Sequence, residues 1–375
     1  MNSILKNIDS AVARILAKAL EGNEITIEEA VVLFSAGAKE SMVLFMVADE
    51  VRRTTVGDAV TYVHNRNINF TNICVGDCLF CAFHRSPHKP NDGYALSLQE
   101  IAAKAVEAAE DGATEICIQG GLNPDLDPHL YIRICEAIKR ELPDVHIHAF
   151  SPMEILFASK RLTCSVESLL RDLKSAGLGS MPGTAAEILD DSIRSIICPA
   201  KLTADAWAEV IATAHRLAIP TTSTMLYGHV EGREHRARHL DRIRRMQKTG
   251  GRFTEFIPLR FVYPNTVLYR QEGCGPQVSG MEDLKVHAIS RLMLNGHIDN
   301  IQVSWVKLGL KLAQVCLSAG ANDLGGTLME EHISSSAGSF APPSLTVREL
   351  QEMIRACERT PRQRTTTYGI VGAAS

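Results

Sequence analysis

The stretch YVHNRNINFTNICVGDCLFCAFHR, residues 62–85, sets a row of polar residues directly before a cysteine cluster. With the two-residue period of a strand, Asn65, Asn67, Asn69 and Thr71 share one face while Ile68 and Phe70 take the other. A filled apolar core has no use for such a row. It suits a strand lining a polar, substrate-holding cavity, or else an edge strand wetted by solvent. Cys74, Cys78 and Cys81 follow at once, with His84 and His88 close behind.

Outward from this stretch the chain alternates strand and helix without a low-complexity linker, the pattern of a parallel sheet. Eight strands are expected: YVHNRNINFTN from Tyr62, TEICIQGG from Thr114, VHIHAFSP from Val145, LGSMPG from Leu178, IPTTSTMLYG from Ile219, RFTEFIPLRFVY from Arg252, NIQVSWV from Asn300 and NDLGG from Asn322. Helix starts and stops lie between them. Ser97 with Glu100 and Thr346 with Glu349 read as capping boxes, and Gly112, Gly177 and Gly320 as left-handed helix ends. The expected fold is α/β, a (β/α)8 barrel over 61–337 with an N-terminal helical extension over 1–60 and a C-terminal helix and tail over 338–375 packing on the barrel. Functional residues of such a barrel sit at the C-terminal ends of its strands.

The 375 residues are 45% apolar, enough for a substantial core, and the formal charge of −4 argues against a general affinity for nucleic acid or anionic membrane. The N-terminus places Ile4, Ile8, Val12 and Ile15 at helical spacing with charges between them, so it reads as an amphipathic helix and not a signal peptide. No apolar run approaches the roughly 18 residues of a membrane span, and a cytoplasmic location is expected. The basic run REHRARHLDRIRR, residues 233–245, is interleaved with Glu234 and Asp241 and carries no aromatic residue to stack bases, so a solvated helix face is expected there. Ten cysteines are too few for a disulfide scaffold. Seven of them, Cys117, Cys135, Cys164, Cys198, Cys274, Cys316 and Cys357, are scattered in apolar contexts and read as core thiols.

The triplet is different, because thiols this close suit zinc or an iron-sulfur cluster. Cys78 and Cys81 with His84 and His88 supply the four ligands of a structural zinc site, but Cys74 stays idle and the intervals are shorter than in a zinc finger. A redox CxxC pair also leaves the third thiol unexplained. A 4Fe-4S cluster takes four ligands, so three thiolates leave one iron open to a cofactor that can chelate it.

The motif C74-x3-C78-x2-C81, with Phe80 before the last cysteine and its place after the first strand, resembles the radical S-adenosylmethionine superfamily. The likeness extends from Asn65 to Tyr368. The segments NINFTNIC, QGGLNPDL, IHAFSPMEI, GLGSMPGTAAEIL, QVSWVKLG, AGANDLGGTLMEE and TPRQRTTTYG resemble the CofH family, the tyrosine-using half of FO synthase. The menaquinone-pathway dehypoxanthine futalosine cyclase is the nearest rival, but it tends to read PGGGAEIL and TMMFGHVE where this chain has PGTAAEIL (182–189) and TMLYGHVE (224–231). A non-catalytic barrel holding a structural zinc or an electron-transfer cluster is the alternative of another class.

The resemblance implies a 4Fe-4S cluster on Cys74, Cys78 and Cys81 with one open iron, and S-adenosylmethionine bound to it. It implies that the 5'-deoxyadenosyl radical takes hydrogen from the amino group of L-tyrosine and that the Cα–Cβ bond fragments. The 4-hydroxybenzyl radical then adds to C5 of 5-amino-6-(D-ribitylamino)uracil, leaving 2-iminoacetate, methionine and 5'-deoxyadenosine. Phe80, Gln119, Gly120, Gly121, Ser151 and Glu187 are expected at the cofactor, with Glu187 on its ribose hydroxyls. Asn67, Asn69, His148, Arg260 and Ser304 are expected at the substrates, and Tyr227, His229, Asn322 and Asp323 as catalytic residues. Implied partners are a reductant such as ferredoxin or flavodoxin and the CofG half of FO synthase, with no nucleic acid or membrane. FVYPNTVLYR, with Tyr263 and Pro264 where the family is expected to carry a histidine, departs from the pattern, as does SPHKPNDGY after the cluster.

Overall fold

The polar row is where the barrel closes. A computed structural model describes residues 2–88, 91–271 and 278–372; Cys274, expected as a core thiol, lies outside the described residues. The first strand is interrupted at His64 into β1 (Ala59–Val63) and β2 (Asn65–Asn69). It is an interior strand. β2 pairs in parallel with β3 (Glu115–Gln119), and on its other flank the Asn67 N–H donates to Leu328 O at 2.8 Å.

From β3 the ring runs through β4 (His146–Ala149) to β5 (Leu178–Ser180), and a bridge from Met181 to Thr221 leads to β6 (Thr221–Tyr227) and β7 (Phe253–Arg260). Bridges from Phe256 to Ile301 and from Gln302 to Asp323 reach β8 (Asp323–Gly326), which pairs with β1 and completes an eight-membered parallel ring. The expected seventh strand, from Asn300, is reduced to those two bridges because the chain turns into the helix Trp305–Leu308 straight after Ser304. The (β/α)8 barrel is otherwise as expected. Both capping boxes form, at Ser97 with Glu100 and at Thr346 with Glu349. Gly112, Gly177 and Gly320 take φ of 95°, 107° and 99°, a region that costs a residue with a Cβ.

Helices Ser10–Leu20, Ile27–Ser35 and Ala38–Val56 build the N-terminal extension and pack on the barrel helices Arg233–Lys248 and Gly280–Leu294. That packing corrects the expectation for the basic run. Arg236, His239, Asp241 and Arg244 are buried. Arg236 pairs with Glu231 at 2.7 Å and Glu282 at 2.6 Å, while Arg244 pairs with Asp241 at 2.6 Å and donates to Ile25 O at 2.8 Å. The helix keeps a solvated face at Arg233, Glu234, Arg238 and Arg245, but Arg236 and Arg244 turn inward, where the barrel carboxylates Glu231, Glu282 and Asp241 and the Ile25 carbonyl of the extension compensate them.

The tail does more than pack on the barrel. After the helix Val347–Arg355 it forms β9 (Thr360–Gln363), parallel to β1 on the flank away from β8. It then carries Arg364 beneath the strands' N-terminal ends, where Arg364 Nε meets Asp323 Oδ2 at 2.5 Å and Nη2 meets Glu255 Oε2 at 3.3 Å. No helix among the described residues is long and apolar enough to cross a membrane.

Candidate functional site

A cavity of about 510 Å³ runs inside the barrel from the cysteine loop at the strands' C-terminal ends to Arg364 and Thr366 at the opposite end. Asn65, Asn67 and Asn69 of β2 and Glu115, Cys117 and Gln119 of β3 all line it, as strand alternation requires. Cys117 is thus a cavity residue. Cys135, Cys198 and Cys316 are buried as core thiols should be, while Cys164 and Cys357 are only half-buried.

At the mouth, Cys74, Cys78 and Cys81 line the same cavity. The Gly76 N–H donates to Cys74 Sγ at 3.2 Å, and a Cβ on Gly76 would stand 3.2 Å from Cys74 Sγ and 3.8 Å from Cys78 Sγ. Two thiols therefore flank the small residue Gly76, whose missing side chain leaves room beside both sulfurs for a sulfur-ligated group. Burial raises the Cys81 thiol, but its hydrogen bond and charge interaction with His84 outweigh burial and hold it below the ordinary range. Among the described residues no three His, Cys, Asp or Glu side chains gather around one point as ligands of a single ion do. His84 is spent on Cys81 itself, its Nδ1–H also donating to Cys81 O at 2.8 Å.

The Gly120–Gly121 turn is explained first by the loop above it. A Cβ on Gly121 would lie 2.2 Å from Ile73 O and 3.0 Å from Cys74 Cβ, so glycine is what allows the cysteine loop to settle on the end of β3. Beside it, Phe150 at φ 64° bends β4 into the helix Pro152–Arg161. Ser151 caps that helix, with Pro152 in its first turn and Glu154 closing the capping box. Glu154 Oε1 also accepts from Gly120 N at 3.0 Å, tying the two turns together. Burial pushes the Glu154 carboxyl up to about 7.

Glu187 projects from a loop in which it and Ala185 both hold positive φ, 46° and 64°. Strain of this kind persists where the surroundings enforce it. The loop backbone is held by Arg194 Nη1, which donates to Ala185 O at 3.2 Å and Ala186 O at 2.5 Å, and by the Leu226 N–H on Glu187 O at 2.9 Å, while Lys201 Nζ lies 2.5 Å from Glu187 Oε1 and 5.1 Å from the centre of the Phe80 ring. Burial works against the Lys201 charge, but Glu187 and the nearby thiols outweigh it and hold the ammonium well above its ordinary range.

Phe80, Gln119, Gly120, Gly121, Ser151 and Glu187 all stand on the cavity wall, as do Asn67, Asn69, His148 and Ser304. His148 Nδ1 is 2.7 Å from Ser180 Oγ, and burial pushes its pKa down to about 4, so the ring is neutral. Five other expected site residues are elsewhere. Tyr227 and Arg260 occupy the outward parity of β6 and β7, whose cavity-facing residues are Thr222, Thr224, Leu226, Glu255, Ile257 and Leu259. The Tyr227 hydroxyl donates to Asp283 Oδ1 at 2.7 Å and Arg260 pairs with Asp283 Oδ2 at 3.2 Å, behind the barrel wall. His229 is a satisfied barrel histidine: its Nδ1 accepts from Val230 N at 2.8 Å and its Nε2–H donates to Leu226 O at 3.1 Å. Asn322 Oδ1 accepts from Arg291 Nη2 at 2.7 Å and Ile301 N at 2.9 Å, a role in joining strands. Asp323 lies beneath the cavity, held by Thr61 at 2.6 Å and by Arg364.

Six charged cavity residues were not singled out in the sequence: Glu115, Glu154, Lys201, Glu255, Lys307 and Arg364. Lys307 Nζ donates to Ser334 Oγ at 3.2 Å and keeps accessible surface on the cavity side. Glu115, Glu154, Glu255 and Arg364 are buried while Lys201 and Lys307 are half-buried, and buried charge without function is rare.

Residues 68–243 match the radical SAM superfamily and residues 250–374 the CofH/MqnC C-terminal region. The chain is 51% identical over 362 residues to "5-amino-6-(D-ribitylamino)uracil--L-tyrosine 4-hydroxyphenyl transferase" of Methanothermobacter thermautotrophicus, covering 96% of this chain and 98% of that one. It is 54% identical over 327 residues to the protein of the same name from Archaeoglobus fulgidus, covering 87% and 93%. Among solved structures, methylornithine synthase superposes with a TM-score of 0.73 at 17% identity over 92% of this chain and 97% of that one. The hydrogenase maturase HydG gives 0.75 at 15% identity over 98% and 80%, a likeness of fold.

Proposed function

The chain belongs to the 5-amino-6-(D-ribitylamino)uracil, L-tyrosine 4-hydroxyphenyl transferase family of the radical SAM superfamily, and we propose that its cavity is where tyrosine is cleaved and its 4-hydroxybenzyl group joined to the uracil. One observation carries this reading: three thiols, a glycine turn and an inward polar row share one cavity inside a closed barrel.

Cys74, Cys78 and Cys81 would hold the 4Fe-4S cluster, with Gly120, Gly121 and Glu187 beside S-adenosylmethionine. When bound, that pair supplies the carbon radical that begins the reaction. The chain's own task is to position two substrates and keep competing hydrogen donors away. Lys307 offers an ammonium to the tyrosine carboxylate near the mouth, and Ile257, Leu259 and Phe261 offer an apolar wall to its ring. His148, neutral and bonded to Ser180, can accept or donate a proton at its second ring nitrogen without introducing charge. A small reductant protein of the ferredoxin or flavodoxin type serves the cysteine-loop end, and the CofG half of FO synthase takes the product onward.

Anaerobically reconstituted protein given S-adenosylmethionine, a reductant, tyrosine and the ribityl uracil should yield a hydroxybenzyl adduct by mass spectrometry, together with 5'-deoxyadenosine. A brown, reducible protein that makes no adduct refutes the reading. Alanine at Cys74, Cys78 or Cys81 should remove both the iron and the product.

A further inference from the structure

The end of the cavity farthest from the cysteine loop is built unlike the rest. Glu115, Glu255, Asn65, Arg364 and Thr366 all line it, and each is at most 5% exposed. Arg364 is spent on its neighbours, bonding Asp323 and Glu255 and lying 4.2 Å from the Tyr368 ring centre. The two glutamates keep acceptor capacity. Asn65 Nδ2 donates to Glu115 Oε1 at 2.8 Å. Both bonds to the Glu255 carboxylate, from Arg364 at 3.3 Å and the Tyr368 hydroxyl at 2.5 Å, fall on Oε2, so Oε1 has no hydrogen-bond partner among the described residues.

Above this floor the β2 ladder rises through Asn67 to Asn69 in steps of about 6.6 Å. Asn69 Oδ1 is buried without a hydrogen-bond partner, although its side chain lines the cavity. A buried acceptor left open costs roughly 1–3 kcal/mol, so a group carrying donors is expected along this wall.

We propose that the floor and the lower β2 ladder are the receptor for the ribityl chain of the uracil substrate, an inference that rests on the transferase reading. The chemistry discriminates among the groups that enter the cavity. The tyrosine carboxylate would meet the floor glutamates and is repelled. A phenol brings a single hydroxyl and would leave most of the floor's polar atoms unpaired. A polyol with four hydroxyl groups offers several donors to Glu115, Glu255 and the asparagine carbonyls, and carboxylate acceptors make the stronger bonds. The uracil ring then lies above the floor and below the cysteine loop, between the polyol receptor and the tyrosine. Arg364 and Thr366 give the C-terminal tail its part, since without them the barrel has no floor on that side.

The test compares calorimetric binding of the ribityl uracil with that of its 6-methylamino analogue, which lacks the polyol, to reconstituted protein containing S-adenosylmethionine. Wild-type protein should bind the ribityl compound at least about 30-fold more tightly, as two or more hydrogen bonds to buried groups require. In Glu115→Gln and Glu255→Gln that preference should fall below about fivefold, while tyrosine affinity stays within about twofold. Equal binding of the two uracils by wild type, or an undiminished preference in both variants, overturns the proposal; the wild-type comparison decides even if the variants fail to fold. Adduct formation is scored separately by mass spectrometry. Preference without any adduct would refute the transferase reading and leave the polyol site standing, and adduct without preference would do the reverse.

Discussion

Replacing Arg364 by methionine removes the cation on which the barrel floor converges while keeping most of the side-chain volume. The guanidinium is 3% exposed, 2.5 Å from Asp323 and 3.3 Å from Glu255, whose side chains are 0% and 6% exposed. Breaking one side of so buried a pair costs about 3–5 kcal/mol, because the remaining carboxylates keep their desolvation and lose their partner. At an unfolding entropy of about 2.1 cal/mol/K per residue over 375 residues, the transition midpoint should drop by about 4–6 °C. The pH dependence identifies the cause. Burial raises the Glu255 carboxyl to about 7 from 4.5 while Arg364 pulls it back. A folded pKa above the unfolded one gives stability that is complete below 4.5 and is lost as pH rises through 7. Without Arg364 the folded value climbs further, so protonation rescues the variant on the acid side. Differential scanning calorimetry of both proteins at about pH 5.5 and about pH 8 should find the larger deficit at the higher pH. A deficit below about 1 kcal/mol, or one that grows toward acid, refutes the assignment of Arg364 as the floor's compensating charge.

Lys307→Met should raise the tyrosine KM by about 10- to 100-fold with little change in the uracil KM, Lys307→Arg recovering part of the loss; equal effects on both substrates would remove Lys307 from the tyrosine carboxylate. Gly121→Ala places a Cβ 2.2 Å from Ile73 O, so iron content after reconstitution should fall by half or more, and full cluster loading would show that the cysteine loop tolerates displacement. Tyr227→Phe should leave kcat within about twofold but cost about 1–2 kcal/mol in urea denaturation, since its hydroxyl serves Asp283 behind the wall. A large kcat loss at unchanged stability would return Tyr227 to the reaction.

Local order was legible wherever the determinants are neighbours in the chain. The capping residues Ser97 and Thr346 act on backbone groups within three positions, and the cysteine triplet follows its strand within a few residues. The inward face of β2 could be read because asparagines alternate with Ile68 and Phe70. On β6 every residue is buried, so polarity carries no parity, and Tyr227 was read onto the wrong side of the wall; Arg260, at the half-buried end of β7, was read inward only from its place at a strand end. In a barrel clothed by helices both faces of a strand are dry, and alternation fades for that reason.

The sequence by itself determined the barrel, most of its element order and the place of the cysteine loop, because periodicity, caps and cysteine spacing are short-range properties of a chain. Tertiary structure alone decided the floor. Arg364 comes from a tail about 300 residues beyond β1 and meets Glu115, Glu255 and Asp323 only after β9 has docked beside that strand. Lys201 likewise reaches Glu187 and Phe80 from a separate turn. The meeting of buried charges is set by which strands close the ring, and ring closure is a long-range event that no window of residues contains.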